Sequence, residues 1–254
     1  MLFSKSVKLV ASDLEGCLLE AGGGTTPWRT DKLAILAEFM EKIEIPFILV
    51  TGRQAPYAEA VLQSIHALNR EIFNIPSVCE GGAILYYPNT RKYEFNPNVT
   101  VACKKMMNEV QARLDDWMIG QKEYHMVRTL GKEICLSVVV FPREKIPLVT
   151  SMVKEELSEY KNLLEITYSK SAVDITPMNV NKLTGLKYAL SIGDYRLEEV
   201  LGVGDAENDL IWLKEVGFPC CPSNGDEAVK KVAASGYIAK NATVEGILEI
   251  LKSE

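Results

Sequence analysis

A chain of 254 residues, 47% of them hydrophobic, can bury a full core and stands at the length where one core begins to divide, so a main domain with a substantial insertion is expected. The formal charge of -6, with lysines and arginines scattered, excludes the basic field of a nucleic-acid binder. No apolar run approaches the roughly 20 residues of a membrane helix and no signal-peptide pattern is present, so a cytoplasmic protein without a membrane partner is expected. Six cysteines without C-x-x-C spacing suggest reduced, buried thiols, and His66 and His125 are too few for a histidine-rich zinc site.

Val7 to Ala11 is an apolar run of the kind buried on both faces of a parallel sheet, and it ends in acid. Alternation in an extended segment lets Asp13 and Glu15 project to one side at the carboxyl edge of the sheet, where open α/β sheets place ligands. Close carboxylates repel unless a cation sits between them or one stays protonated. The three glycines at 22–24 read as a turn, and Thr26 and Pro27 as the N-cap and first position of a helix running to about Ile43. A second buried strand, Ile45 to Val50, ends in Thr51-Gly52-Arg53, where a hydroxyl and an amide beside a helix start make a natural oxyanion site. Pro76 to Cys79 is a third strand.

From Ala83 the pattern changes. Ile84–Tyr87 and Lys92–Phe95 flank a Pro-Asn-Thr-Arg turn, which is a hairpin signal. A helix at about 101–118, a strand at 134–141, a helix at about 144–160 and strands at 164–168 and 172–175 complete an α+β insertion. Alternation resumes with a helix from Asn181 carrying Lys182 in its first turn, where a cation opposes the helix dipole and implies an anionic partner. The strand 199–204 ends in Asp205-Ala206-Glu207-Asn208-Asp209, and the helix after it runs to about Val216. A strand at 218–221, a helix at 226–234, a strand at 237–239 and a last helix from Val244 finish the chain.

Asp13 with Glu15, Thr51 with Gly52, Lys182, and Asp205 with Asn208 and Asp209 therefore all stand at strand or helix ends. Carboxylates from two strands suit a hard divalent cation such as Mg2+, while the hydroxyl, amide and ammonium complement a phosphate. A carboxylate facing that phosphate can act as nucleophile, with Glu15 as proton donor and later acceptor.

In these residues the chain resembles the haloacid dehalogenase (HAD) superfamily of phosphatases: Asp13-Leu14-Glu15-Gly16-Cys17 matches the first motif, Thr51 the second, Lys182 the third and Gly204-Asp205-Ala206-Glu207-Asn208-Asp209 the fourth. The resemblance is to the type with a large α/β (type IIB, Cof-like) cap, similar to sugar phosphatases and mannosyl-3-phosphoglycerate phosphatases. It implies an α/β fold with a Rossmann-like parallel-sheet core at 1–83 and 179–254 and an inserted α+β cap domain at 84–178. It further implies Asp13 as nucleophile and Mg2+ held by Asp13, the Glu15 carbonyl and Asp205. Phosphate would be bound by Thr51, Gly52, Lys182 and Asn208, and Asp209 would orient metal waters or Lys182. Arg53 is open to a structural or a functional reading.

Glu15 and Cys17 depart from the usual Asp and Thr, and Gly81 stands where this cap type often has Asn. The expected activity is hydrolysis of a small phosphorylated metabolite, a sugar phosphate first, with phosphoglycolate next. The alternatives are a phosphomutase of the eukaryotic phosphomannomutase type and a catalytically silent phosphate-ligand binder. Cap residues Arg128, Lys132 and Tyr86 are candidates for substrate selection.

Overall fold

Strands whose side chains are apolar on both faces need cover on both sides, and a parallel sheet between helices supplies it. The computed structural model describes residues 6–21, 26–67, 75–169 and 171–253. Strand β1 (Leu9–Ser12) is wholly buried, with Val10 in the apolar cluster on one face and Leu9 and Ala11 in the cluster on the other. Helix α1 (Thr30–Met40) starts later and ends earlier than the expected 26 to 43. Trp28 stacks edge-on against Tyr57 at 5.5 Å, which holds the chain before Arg29 outside the helix. The expected glycine turn at 22–24 lies outside the described residues.

Strand β2 (Phe47–Leu49), helix α2 (Ala55–Ser64) and β3 (Ser77–Cys79) follow. Strands β4 (Ile84–Tyr87) and β5 (Lys92–Phe95) form the expected hairpin. The hairpin pairs with β3, which itself meets the β2 end through the Val50–Val78 bridge, so it hydrogen-bonds to the parallel-sheet side of the molecule. Helix α3 (Val101–Gly120) buries Met107, Val110 and Leu114. Strand β6 (His125–Arg128), not foreseen from the sequence, is half-exposed and pairs antiparallel with β7 (Leu136–Phe141). Helix α4 (Ile146–Glu156), β8 (Leu164–Tyr168) and β9 (Ala172–Pro177) complete an antiparallel sheet of order β6-β7-β9-β8, against which α4 packs.

The chain then returns through helix α5 (Lys182–Gly193) to β10 (Val200–Val203). The helix expected after Asp209 is shorter than its sequence suggests: a 3-10 turn leads into α6 (Leu210–Leu213). Strand β11 (Phe218–Cys221), α7 (Glu227–Ala233), β12 (Tyr237–Ile238) and α8 (Thr243–Lys252) end it. The parallel sheet has the order β12-β11-β10-β1-β2. The chain leaves β1 toward β2 and later fills the other side with β10. The strand order therefore reverses between β1 and β10, and the crevice beyond their carboxyl ends is where such sheets bind ligands. The molecule is thus a Rossmann-like parallel core carrying an inserted α+β cap. Among the described residues no helix is long and apolar enough to cross a membrane.

Core and cap are joined by two crossings that are tied to each other, since the Asn98 amide donates to the Asn179 carbonyl at 2.9 Å. Beside them, Gly82 has φ +112, and a Cβ there would lie 2.0 Å from the Asn181 carbonyl oxygen, at the N-cap of the helix that carries Lys182. Gly82→Ala is therefore expected to cost on the order of 2 kcal/mol or more, seen as a fall in the thermal unfolding midpoint. An unchanged midpoint would refute this close approach.

Candidate active site

Asp13 follows β1 directly, and its backbone N–H donates to the Val203 carbonyl at 2.8 Å, so the ends of β1 and β10 are locked together. Lys182 reaches the same place from the first turn of α5, whose N-terminus is closed by Asn181 and Thr184 side chains. Its ammonium donates to Asp209 Oδ1 at 2.7 Å and lies 3.0 Å from Asp13 Oδ1. These are the anionic partners that its position on the helix demanded. Asp209 Oδ1 also accepts from the Trp212 indole at 3.0 Å, and Oδ2 accepts from the backbone N–H groups of Asp205 and Ala206 at 3.1 and 3.2 Å. A carboxylate offers about four acceptor sites. Asp209 therefore has both oxygens committed, and it fixes the lysine and the Asp205 loop together.

Asp205 closes onto the first loop because Gly16 has no side chain. Gly16 has φ +82, and a Cβ there would sit 2.1 Å from Asp205 Oδ2. Ligand atoms of Asp13, Asp205 and Asp209, all buried, lie within 4.8 Å of one another. Burial pushes the Asp13 carboxyl well above the ordinary carboxylate range, and repulsion from Asp209 and Asp205 adds to this against the pull of Lys182. Burial alone would lower the Lys182 amine, but Asp13 and Asp209 raise it. Three crowded carboxylates answered by one ammonium make a donor set that suits a hard divalent cation. Asp13, Asp205 and Asp209 could each offer it one oxygen, although both oxygens of Asp209 already carry protein hydrogen bonds.

The other side of the crevice carries hydrogen-bonding groups. Thr51 is buried, its N–H donating to the Val78 carbonyl and its hydroxyl oxygen accepting from the Arg53 N–H at 3.1 Å. Gly52 faces open space where a side chain would stand. The Asn208 side-chain oxygen is buried without a protein partner, so its amide has capacity left for a ligand. Glu15 lines the same cavity as Asp13, but its carboxylate is gripped by Arg53 through Nε at 3.1 Å and through Nη2. Arg53 in turn lies 4.9 Å over the Tyr57 ring. The sequence left the role of Arg53 open, and the structure makes it the partner of Glu15.

These groups line a cavity of about 90 Å³ that shares Gly52, Lys132, Asp174, Lys182 and Asn208 with the wall of a neighbouring one of about 390 Å³. Of the three cap candidates, Lys132 reaches the cavity. Arg128 is bound to Asp115 at 2.7 and 3.1 Å, and Tyr86 is packed in the core. Glu80 holds the segment that follows Lys132. It is buried in a left-handed backbone conformation, φ 47, and its carboxylate accepts the backbone N–H groups of Glu133, Ile134 and Cys135 at 2.8, 2.9 and 3.2 Å. Burial raises its carboxyl, against the pull of those three amides. Sequence reasoning missed Glu80, Ser137 and Asp174; the signal for Asp174 was a charged residue inside the otherwise apolar strand Ala-Val-Asp-Ile.

The family model for haloacid dehalogenase-like hydrolases matches residues 139–251. A phosphoglycolate phosphatase of Methanobrevibacter smithii is 25% identical over 221 residues, covering 84% of this chain and 85% of that protein. Among solved structures, protein 0175 of Thermoplasma acidophilum superposes with a TM-score of 0.71 at 19% identity, covering 97% of each chain. The sucrose-phosphatase of Synechocystis, solved with sucrose and phosphate, gives 0.68 at 19% identity over 96% of this chain and 97% of its own. At such identities the two structures share the fold.

The different commitments of the two acidic side chains can be tested. Asp209→Asn removes the charge that answers the buried lysine and leaves one acceptor oxygen for two sets of donors, Lys182 with Trp212 and the 205 loop amides, and is expected to cost about 3 kcal/mol or more. Asp205→Asn removes a carboxylate that crowds Asp13, and is expected to cost clearly less. Urea unfolding of both variants in EDTA checks this, and equal losses would contradict the assignment of Asp209 as the positioning residue.

Proposed function

We propose, from the likeness of residues 139–251 to haloacid dehalogenase-like hydrolases and of the chain to a phosphoglycolate phosphatase, that it is a Mg2+-dependent phosphomonoester hydrolase working through an aspartyl-phosphate on a small phosphorylated metabolite, a sugar phosphate first. The observation that carries this reading is the Lys182 ammonium shared between Asp13 and Asp209 on the wall of a cavity that also holds Thr51, Gly52 and Asn208. We draw the cap at about residues 97 to 178, after the hairpin that pairs with β3.

In this reading the Thr51 hydroxyl, the Gly52 amide, the Asn208 side chain and the Lys182 ammonium bind the phosphate oxygens. Asp13 attacks phosphorus, and Lys182 offsets the charge that develops there. The Asp13 and Asp205 carboxylates with the Glu15 carbonyl would hold Mg2+. When bound, the ion supplies positive charge that offsets the repulsion between nucleophile and phosphate. Glu15 protonates the leaving oxygen and then takes a proton from the water that hydrolyses the aspartyl-phosphate. Its pairing with Arg53 must open for each proton transfer, so Arg53 aims the carboxyl between transfers.

Asp13→Asn is expected to abolish Mg2+-dependent release of phosphate from p-nitrophenyl phosphate while leaving the fold intact, because an amide cannot be the nucleophile. Retained turnover would sink the mechanism. Glu15→Gln is expected to slow an alkyl phosphate by on the order of a hundredfold and p-nitrophenyl phosphate much less, since only the poor leaving group needs a proton. Equal losses on the two esters would remove Glu15 from that role.

A further inference from the structure

We propose that Asp174, with Ser137 and Lys132, is the specificity-determining group of the cap, and that it selects substrates whose non-phosphate end is uncharged and hydroxyl-bearing over those ending in a carboxylate. The inference rests on the phosphomonoesterase reading above and deepens it.

Ser137 on β7 and Asp174 on β9 are register partners in the antiparallel sheet, and with Val139 and Ala172 they turn one face of that pair toward the smaller cavity. The Ser137 hydroxyl donates to Asp174 Oδ1, and the Lys132 ammonium donates to Ser137 Oγ and stands 3.9 Å from Asp174 Oδ1. The lysine side chain is 6% exposed, and its ammonium is held against the Ser137–Asp174 pair. Asp174 is more open, with 28% of its side chain exposed, and it borders both cavities. One serine hydroxyl uses a single site on a carboxylate that has about four. What remains faces the cavity as an acceptor, which matches the hydroxyls of a polyol.

The charge balance points the same way. Among the described residues, each cation on the wall of the smaller cavity already has a carboxylate: Lys182 has Asp13 and Asp209, Arg53 has Glu15, and Lys132 has Asp174. A substrate carboxylate in the smaller cavity would meet the more open Asp174, while the ammonium of Lys154 lines the larger cavity and is absent from the wall of the smaller one. Thr129 and Ser171 also line this cavity with hydroxyls that can donate or accept, while the Ser169 hydroxyl is held by the backbone of Ser171 and Ala172. The cap wall is thus built for neutral hydroxyls.

The test uses the full chain with Mg2+ and compares kcat/KM for glycerol 3-phosphate, ribose 5-phosphate and glucose 6-phosphate with that for phosphoglycolate, alongside p-nitrophenyl phosphate. The wild type is expected to favour the best hydroxylated ester over phosphoglycolate by at least about tenfold. Asp174→Asn, which removes the like charge, is expected to lower that ratio by at least about tenfold, chiefly through KM, and Asp174→Glu to restore much of it. Hydrolysis of p-nitrophenyl phosphate with phosphoglycolate equal to or better than every hydroxylated ester overturns the inference and leaves the phosphatase reading standing. So does a folded Asp174→Asn with an unchanged ratio. If that variant does not fold, the wild-type ratio decides alone. Absence of Mg2+-dependent hydrolysis of any ester, p-nitrophenyl phosphate included, overturns the phosphatase reading and this inference with it.

Discussion

An ammonium group buried among carboxylates organises the centre of this molecule. Lys182 enters where the helix dipole and desolvation both oppose a cation, and it stays charged because Asp13 and Asp209 contact it at 3.0 and 2.7 Å. The dependence is mutual. Without the lysine, Asp13, Asp205 and Asp209 would confront each other in a site from which water is largely removed. Asp209 couples this cluster to the backbone, since the oxygens facing Lys182 and Trp212 belong to the group that also holds the amides of Asp205 and Ala206. Charge compensation and loop geometry are thus one network, and disturbing either disturbs the other.

The sheet order places that network. Because β1 lies between β10 and β2, the loops after β1 and β10 are neighbours, and the backbone bond from Asp13 to Val203 fixes their relative height. Gly16 lets the two loops close to contact. Thr51 arrives from the next strand over, held to β3 through Val78, so the hydroxyl side of the crevice hangs on a different pair of strands from the carboxylate side.

Much of this could be read in the sequence because strand ends announce themselves: an apolar run that stops at Asp13, Thr51 or Asp205 marks the carboxyl edge of a parallel sheet. A lysine in the first turn of a helix opposes the dipole, and Lys182 has its acidic partners in Asp13 and Asp209. What was hidden depends on long-range pairing. Glu15 and Arg53 are 38 positions apart, and nothing local says that one grips the other. Asp174 faces Ser137 because β9 pairs with β7 as well as with β8, an arrangement that periodicity does not reveal. Strand β6 was missed because His-Met-Val-Arg lies at a sheet edge and lacks a clear apolar face. Helix α1 was drawn too long because the stacking of Trp28 on Tyr57 outweighs a local cap signal.

The grip of Glu80 on the segment 133–135 has one more consequence. The carboxylate holds peptide N–H groups, which every residue except proline supplies, so the attachment is blind to the side chains of Glu133 and Ile134. Cys135 adds its thiol to the Glu80 carbonyl, but its amide would remain if the thiol were exchanged. The anchor itself therefore does not depend on which side chains this segment carries, although Ile134 and Cys135 are also packed in the apolar core. A cap segment fastened in this way keeps its backbone tie to the parallel-sheet side of the molecule whatever it presents to the cavity.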